Sequence, residues 1–293
     1  MKAAFLADRG VIKVSGADAR GFLNNLVTSE LERVKPGIGG FGALLTPQGK
    51  IVADFLITEA PAEDGGGFLI DCPRALAQGL ADKLGFYKLR AKVLVENLSD
   101  RLGVLAVWDG APATPVGPAF PDPRDGRLGW RILVPVDFAA KAAGLIGAEI
   151  VDAVIYDAHR IARGVPRGGV DFSYGDAFPH ETNMDRLHGV DFDKGCYIGQ
   201  EVVSRMQHRG TARTRIVRML LDDAPPEAGV EIRAGDKPVG TMGSSADGIG
   251  LALIRLDRAA DALDAAVPLM AGGIAIRFAE PDSVRLAPKK TVA

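Results

Sequence analysis

A chain of 293 residues is long enough to bury a large core and suggests two or three structural units. Its apolar content of 47%, charged content of 25% and net charge of -2 are those of an ordinary globular protein. They exclude a global attraction to nucleic acid or to an anionic membrane, so either partner would need a local patch. No run of about 18 apolar residues is present, which excludes an ordinary membrane-spanning helix. The start, Met1 to Arg9, shows no signal-peptide pattern. Two distant cysteines, Cys72 and Cys196, make neither a disulfide framework nor a paired-cysteine zinc site, and a cytoplasmic protein with reduced thiols is expected.

In chain order, the pattern predicts strands at 3–7 and 11–14, a helix over 18–26, and a strand at 42–45 that ends in the turn Thr46-Pro47-Gln48-Gly49. Strands at 51–58 and 68–71 flank a glycine turn. A helix over 74–86 follows, with Leu76, Leu80 and Leu84 at helical spacing, then a strand over 91–96. Strands at 102–108 and 130–135 enclose a Pro/Gly-rich loop, and a short helix covers 138–145. A helix over 151–163 stops at Gly164 with Pro166 beyond it. After Gly210, four short strands at 213–221, 230–233, 237–244 and 249–254 are separated by turns, as in a small β-barrel or sandwich. The fold class is α+β. The expected domains are 1–47 with 148–210, a ferredoxin-like α+β unit over 48–147, a β-barrel over 211–286, and a mobile tail, 287–293.

The most informative stretch is Lys194-Gly195-Cys196-Tyr197-Ile198-Gly199-Gln200-Glu201. A thiolate, not a thiol, is the nucleophile or metal ligand, and a nearby ammonium or helix N-terminus raises its fraction. Lys194 offers the first and the helix-like run from Gln200 the second. Gly195 and Gly199 would allow positive φ or a close approach. Cys72, after the apolar Phe68-Leu69-Ile70, reads as a buried cysteine.

This octapeptide resembles the diagnostic motif of the YgfZ family, folate-binding proteins implicated in iron–sulfur cluster maturation and related to the glycine-cleavage T-protein, an aminomethyltransferase. Gly164-Val165-Pro166, the segment Phe178 to Asp185, Val14 to Ala19 with Phe22-Leu23, Gln48 to Phe55, and Arg209-Gly210 carry the same resemblance. It implies a three-unit, T-protein-like architecture. It also implies bound tetrahydrofolate or a derivative, iron–sulfur client enzymes or assembly proteins as partners, and a functional Cys196.

A reduced pterin needs aromatic or apolar walls and a polar group at its amide edge. Glu181 suits that edge, with Asn183 as the other choice, and the resemblance places Tyr156 in the pocket wall. Tyr197, Gln200 and Arg205 complete the expected folate contacts. Arg9 stands where relatives often have an aromatic residue. T-protein relatives carry adjacent acids where this chain has Ala53-Asp54, which argues against full aminomethyltransferase activity and leaves Asp54 to manage a proton or to pair with Lys50 or Arg90. Cys196, Lys194 and Asp54 are thus the catalytic candidates.

Two alternatives stay open: one-carbon or aminomethyl transfer on tetrahydrofolate, and a factor linked to tRNA modification. The second rests on Arg205, Arg209, Arg213, Arg215 and Arg218, in a stretch without acids, where a solvated strand face is the plainer reading. His180, His188 and His208 match no metal signature, so no permanent metal site is expected.

Overall fold

The computed structural model describes residues 1–113, 116–210, 212–222 and 224–285, so the expected tail at 287–293 lies outside the described residues. In chain order the elements are β1 (Lys2–Phe5), β2 (Arg9–Ser15), α1 (Ala19–Asn24), β3 (Gly40–Leu45), β4 (Ile51–Glu59), β5 (Phe68–Pro73), α2 (Arg74–Tyr87) and β6 (Leu94–Asn97). Then come β7 (Leu102–Trp108), β8 (Ala119–Pro121), β9 (Trp130–Pro135), α3 (Ala139–Leu145), β10 (Glu149–Ile150), α4 (Ala153–Ala162) and α5 (Gln200–Arg209). The chain ends in β11 (Thr214–Leu221), β12 (Glu231–Ala234), β13 (Lys237–Ala246), β14 (Ile249–Arg255), α6 (Leu256–Asp264), β15 (Leu269–Ala271) and β16 (Ile274–Phe278).

The chain divides into two compact units, Met1–Tyr156 with Met184–Gln200, and Asp157–Asn183 with Glu201–Ala293. The first holds two five-stranded sheets, ordered β3-β4-β5-β2-β6 and β10-β1-β7-β9-β8. The expected boundary after residue 47 falls in the turn of a hairpin, because β3 pairs with β4 from Gly40↔Ile57 to Leu45↔Ile51. A separate 48–147 unit would leave both strands with unpaired backbone groups. The two sheets also share one apolar core: Val11 and Leu69 from one meet Ala4, Val104, Trp108 and Leu133 from the other.

Helix α2 buries Ala77, Leu80, Ala81 and Leu84, the i, i+3, i+4, i+7 stripe of an amphipathic helix, against the first sheet. It lies close to β2 at Gly10, where a Cβ would come within 3.2 Å of the Ala77 Cβ and 2.5 Å of the Ser99 Oγ. That approach positions β2 and β5, which carry Arg9 and Asp71.

In the second unit, β11-β14-β13-β12-β15-β16 close into a barrel, with β16 pairing back onto β11. Strand closure leaves no open edge, and Leu256, Ala259 and Ala262 of α6 join Met219, Ile232 and Phe278 in the barrel core. Among the described residues no helix is long and apolar enough to cross a membrane.

Candidate functional site

The cysteine motif sits in the first unit on a loop fastened at both ends. On one side the Lys194 Nζ donates to the carbonyl oxygens of Asn24 and Val27, each at 2.8 Å, and of Ser29 at 2.7 Å. These carbonyls belong to the last residue of α1 and to the segment that follows it, and an ammonium with three donors fits them. Burial pushes the Lys194 ammonium down to about 8, against the attraction of Glu30 and Asp191. On the other side Ile198 packs onto the core of the first sheet, and Gly199 adopts φ +80 above the β3–β4 turn. A Cβ at Gly199 would stand 2.5 Å from the Thr46 carbonyl oxygen, so only glycine fits. Gly195 has a negative φ and open space around it, so its expected conformational role is absent.

Between these anchors Cys196 is exposed, whereas Cys72 is fully buried and burial pushes its thiol up to about 12. The structure thus separates a reachable thiol from an inert one. It corrects the expected activation of Cys196 by Lys194. Lys194 is committed to backbone carbonyls, while α5 begins at Gln200, where the helix-like run was expected. Tyr197 lies near Lys194, whose Nζ is 5.4 Å from the ring centroid, and the Tyr197 N–H donates to the Gln200 Oε1 at 3.2 Å. Both residues help to shape the loop.

Asp54 and Tyr156 belong to a different feature, a buried cluster of three arginines and three aspartates in the first unit. Arg9 donates from Nε to the Asp71 Oδ1 at 2.5 Å, and Arg124 forms a bidentate pair with Asp122 at 2.9 and 2.7 Å. Arg131 spans the two acids, with Nε 3.3 Å from the Asp122 Oδ2 and Nη1 3.9 Å from the Asp71 Oδ2. Asp54 lies in the field of Arg9 and Arg124, cations that the expected pairing with Lys50 or Arg90 did not include. Burial would raise the Asp122 carboxyl, but Arg124 and Arg131 outweigh it and hold it at about 2. Pairing of this kind keeps buried charge affordable.

Tyr156 is not placed as an open pocket wall. Its hydroxyl accepts from the Arg131 Nη2 at 2.8 Å, the Arg131 guanidinium carbon lies 5.0 Å from its ring centroid, and Trp108 packs at 5.4 Å. With a residue exposure of 5%, the ring has no face left for stacking. Arg9, taken from sequence as a gap in an aromatic wall, is a structural ion-pair partner. Asp71, Asp122, Arg124 and Arg131 escaped sequence reading. The one available signal was a charge inside an apolar strand, as in Phe68-Leu69-Ile70-Asp71 and Trp130-Arg131-Ile132.

The remaining candidates lie in the second unit. The Glu181 Oε2 accepts from the Phe178 N–H at 2.8 Å. Asn183, at φ +60, donates to the Ile216 carbonyl at 2.8 Å and accepts from the Arg215 Nη1 at 3.2 Å, so it ties down its own loop. Arg205 pairs with Glu201 at 2.5 Å on an exposed face of α5. In the basic run, Arg215 also donates to the His180 carbonyl and Arg218 to the Ala162 carbonyl, each at 2.9 Å. These two arginines are internal ties, which removes them from an RNA-facing patch. Among the described residues no three His, Cys, Asp or Glu side chains converge as a metal site.

Asp171 organises this unit. Its carboxylate takes Arg160 at 2.5 Å, the Arg167 N–H at 2.7 Å, and the Ser244 N–H and hydroxyl at 2.7 and 2.6 Å. A Cβ on Gly243 would stand 2.4 Å from the same carboxylate.

Comparison with known proteins places these features. Residues 213–286 match the model of the CAF17 C-terminal β-barrel domain. The iron–sulfur cluster assembly factor IBA57 homolog of Mycosarcoma maydis is 35% identical over 244 residues, 78% of this chain and 60% of that protein. The homolog of Pyricularia oryzae is 34% identical over 86% of this chain and 71% of that protein, and the human IBA57 31% identical over 85% and 76%. All three are named mitochondrial, which overturns the cytoplasmic expectation. The crystal structure of glycine cleavage system aminomethyltransferase T from Bartonella henselae superposes with a TM-score of 0.73 at 15% identity, covering 99% of this chain and 88% of that one. The T-protein-like fold with a C-terminal barrel is therefore as expected, the barrel having six strands where four were read.

Proposed function

The chain belongs to the IBA57 family of iron–sulfur cluster assembly factors, and from that premise we propose that it acts in assembling or repairing iron–sulfur clusters, with Cys196 as its working group. The observation that carries the reading is the exposed thiol on a loop whose two anchors, Lys194 and Gly199, fix the backbone around it. A pre-set loop lowers the ordering cost of presenting a soft ligand or nucleophile to a partner. Its partners are iron–sulfur assembly proteins or client enzymes. The test is rescue of iron–sulfur enzyme activity in cells depleted of their own relative. Cys196→Ala is expected to fold and accumulate normally and to fail in rescue; full rescue by that variant removes the thiol role.

Tetrahydrofolate or a derivative is the ligand we assign, on the sequence resemblance. The acceptor that a pterin edge of N–H donors requires is offered by the Glu181 carboxylate, while the aromatic wall expected from Tyr156 is not available. Glu181 would hold the pterin edge, and Arg205 a folate carboxylate tail. Titration with tetrahydrofolate, followed by protein fluorescence and calorimetry, is expected to show saturable binding weakened by Glu181→Gln. Absence of heat and of any fluorescence change at millimolar ligand ends the folate assignment without touching that of Cys196.

A further inference from the structure

The first unit carries a surface that neither the cysteine loop nor the buried charge cluster explains. At the end of α2 the chain reads Lys83-Leu84-Gly85-Phe86-Tyr87-Lys88-Leu89-Arg90-Ala91-Lys92-Val93-Leu94. Phe86 is 78% exposed, Leu89 86% and Leu94 53%, so three large apolar side chains face solvent within one short segment. Scattered single apolar residues on a surface are ordinary; a group of them is not. Leu89 also holds φ +44, a left-handed conformation in which a leucine is strained, although glycine would serve the turn without strain.

The charge carried by this segment is of one sign. Lys83, Lys88, Arg90 and Lys92 occur with no acid between them, and none forms an ion pair with a described residue. The helix dipole accounts for a cation at Lys88, in the cap of α2, but not for outward Phe86 and Leu89. Beside Leu89 lies a concave groove of about 600 Å³ between α1 and the end of α2, lined by Phe22, Leu26, Tyr87 and Ala91. Its one carboxylate, Asp18, accepts the Lys92 N–H at 2.7 Å.

We infer that the end of α2 and the α1–α2 groove form a docking surface for an acidic segment of a partner protein, which places apolar anchors in the groove and carboxylates against Lys88, Arg90 and Lys92. The groove beside the protruding side chains is shallow and open, and its Phe22, Leu26, Tyr87 and Ala91 lining favours a protein segment over a lipid surface. A bilayer meets protruding apolar residues, whereas a groove sized for side chains serves an anchor residue. Exposed aromatic and aliphatic anchors ringed by uncompensated charge supply affinity and steering respectively. The surface owes nothing to Cys196 chemistry.

The test places a photo-crosslinking amino acid at Phe86 of the full-length chain in cells, identifies the adduct by mass spectrometry, and measures binding of the purified pair. The expected result is an adduct with one protein through an acidic segment, unchanged in a Cys196→Ala background. Affinity should fall at least about tenfold in Lys88→Glu/Arg90→Glu and recover when the contacting acids of the partner are reversed to lysine. Leu89→Gly should weaken binding while raising thermal stability, which separates a docking role from a structural one. Four results overturn the inference: no adduct, an adduct only with a second copy of this chain, affinity indifferent to charge reversal, or Phe86-dependent co-sedimentation with anionic phospholipid vesicles in place of a protein adduct.

Discussion

The Lys194 ammonium and the Ser29 carbonyl oxygen lie 2.7 Å apart, so the cation two residues from Cys196 serves to fasten a loop. Lys194→Met removes a donor shared by the carbonyls of Val27 and Ser29, both in buried residues. Leaving buried acceptors unmade costs about 1–3 kcal/mol, to be read from urea unfolding. In the folded fraction, alkylation of Cys196 should proceed at an unchanged rate. A large fall in that rate with stability intact would return Lys194 to an activating role.

The two thiols should separate cleanly under alkylation. Iodoacetamide at pH 8 is expected to modify one site rapidly, identified as Cys196 by peptide mapping, while Cys72 reacts only as the protein unfolds. Burial and a thiol pushed up to about 12 both protect Cys72. Comparable rates at the two sites would contradict the structure.

Two glycines of one motif should differ in cost. Gly199→Ala forces a Cβ against the Thr46 carbonyl oxygen at positive φ and should destabilise the chain by about 1–3 kcal/mol. Gly195→Ala meets open space and should be neutral or slightly stabilising. Paired denaturation curves decide it, and equal midpoints for the two variants would refute the assignment.

Acid stability should report on Asp122. Its folded carboxyl, at about 2, lies below the ordinary value of 3.8, so the folded state binds this proton less readily than the unfolded chain does. The stabilisation is therefore complete above about pH 4 and is lost as pH falls through 2. A shift of that size corresponds to about 2 kcal/mol. Asp122→Asn should be less stable at neutral pH and should show a flatter decline between pH 4 and 2. An acid limb as steep as that of the parent would assign the effect to other groups.

Elements with a clear period could be read from sequence, and those fixed by tertiary pairing could not. The apolar stripe of α2 placed that helix within a residue of its observed end, and four of the barrel strands were visible between Gly and Pro turns. Two barrel strands, β15 and β16, are only three and five residues long, and the buried face of α6 is made largely of alanine, Ala259 and Ala262, beside Leu256. The division at residue 47 failed because a turn signal such as Pro47-Gln48-Gly49 marks hairpins and domain boundaries alike. At the candidate site Cys196 was legible from the resemblance of its octapeptide to a family motif, and its exposure is what the structure adds. The charge cluster was not, since Arg9, Asp71, Asp122 and Arg131 converge only after strands distant in sequence are paired.

The way the backbone is threaded has a practical corollary. The polypeptide passes from one unit to the other after Tyr156, returns at Met184, and leaves again after Gln200. The barrel, for its part, borrows the Asp171 carboxylate for Ser244 from a segment far upstream of β11. No single cut in the gene can therefore yield two self-sufficient fragments, and a barrel expressed from residue 213 alone would carry an unmet donor pair where its upstream strap belongs.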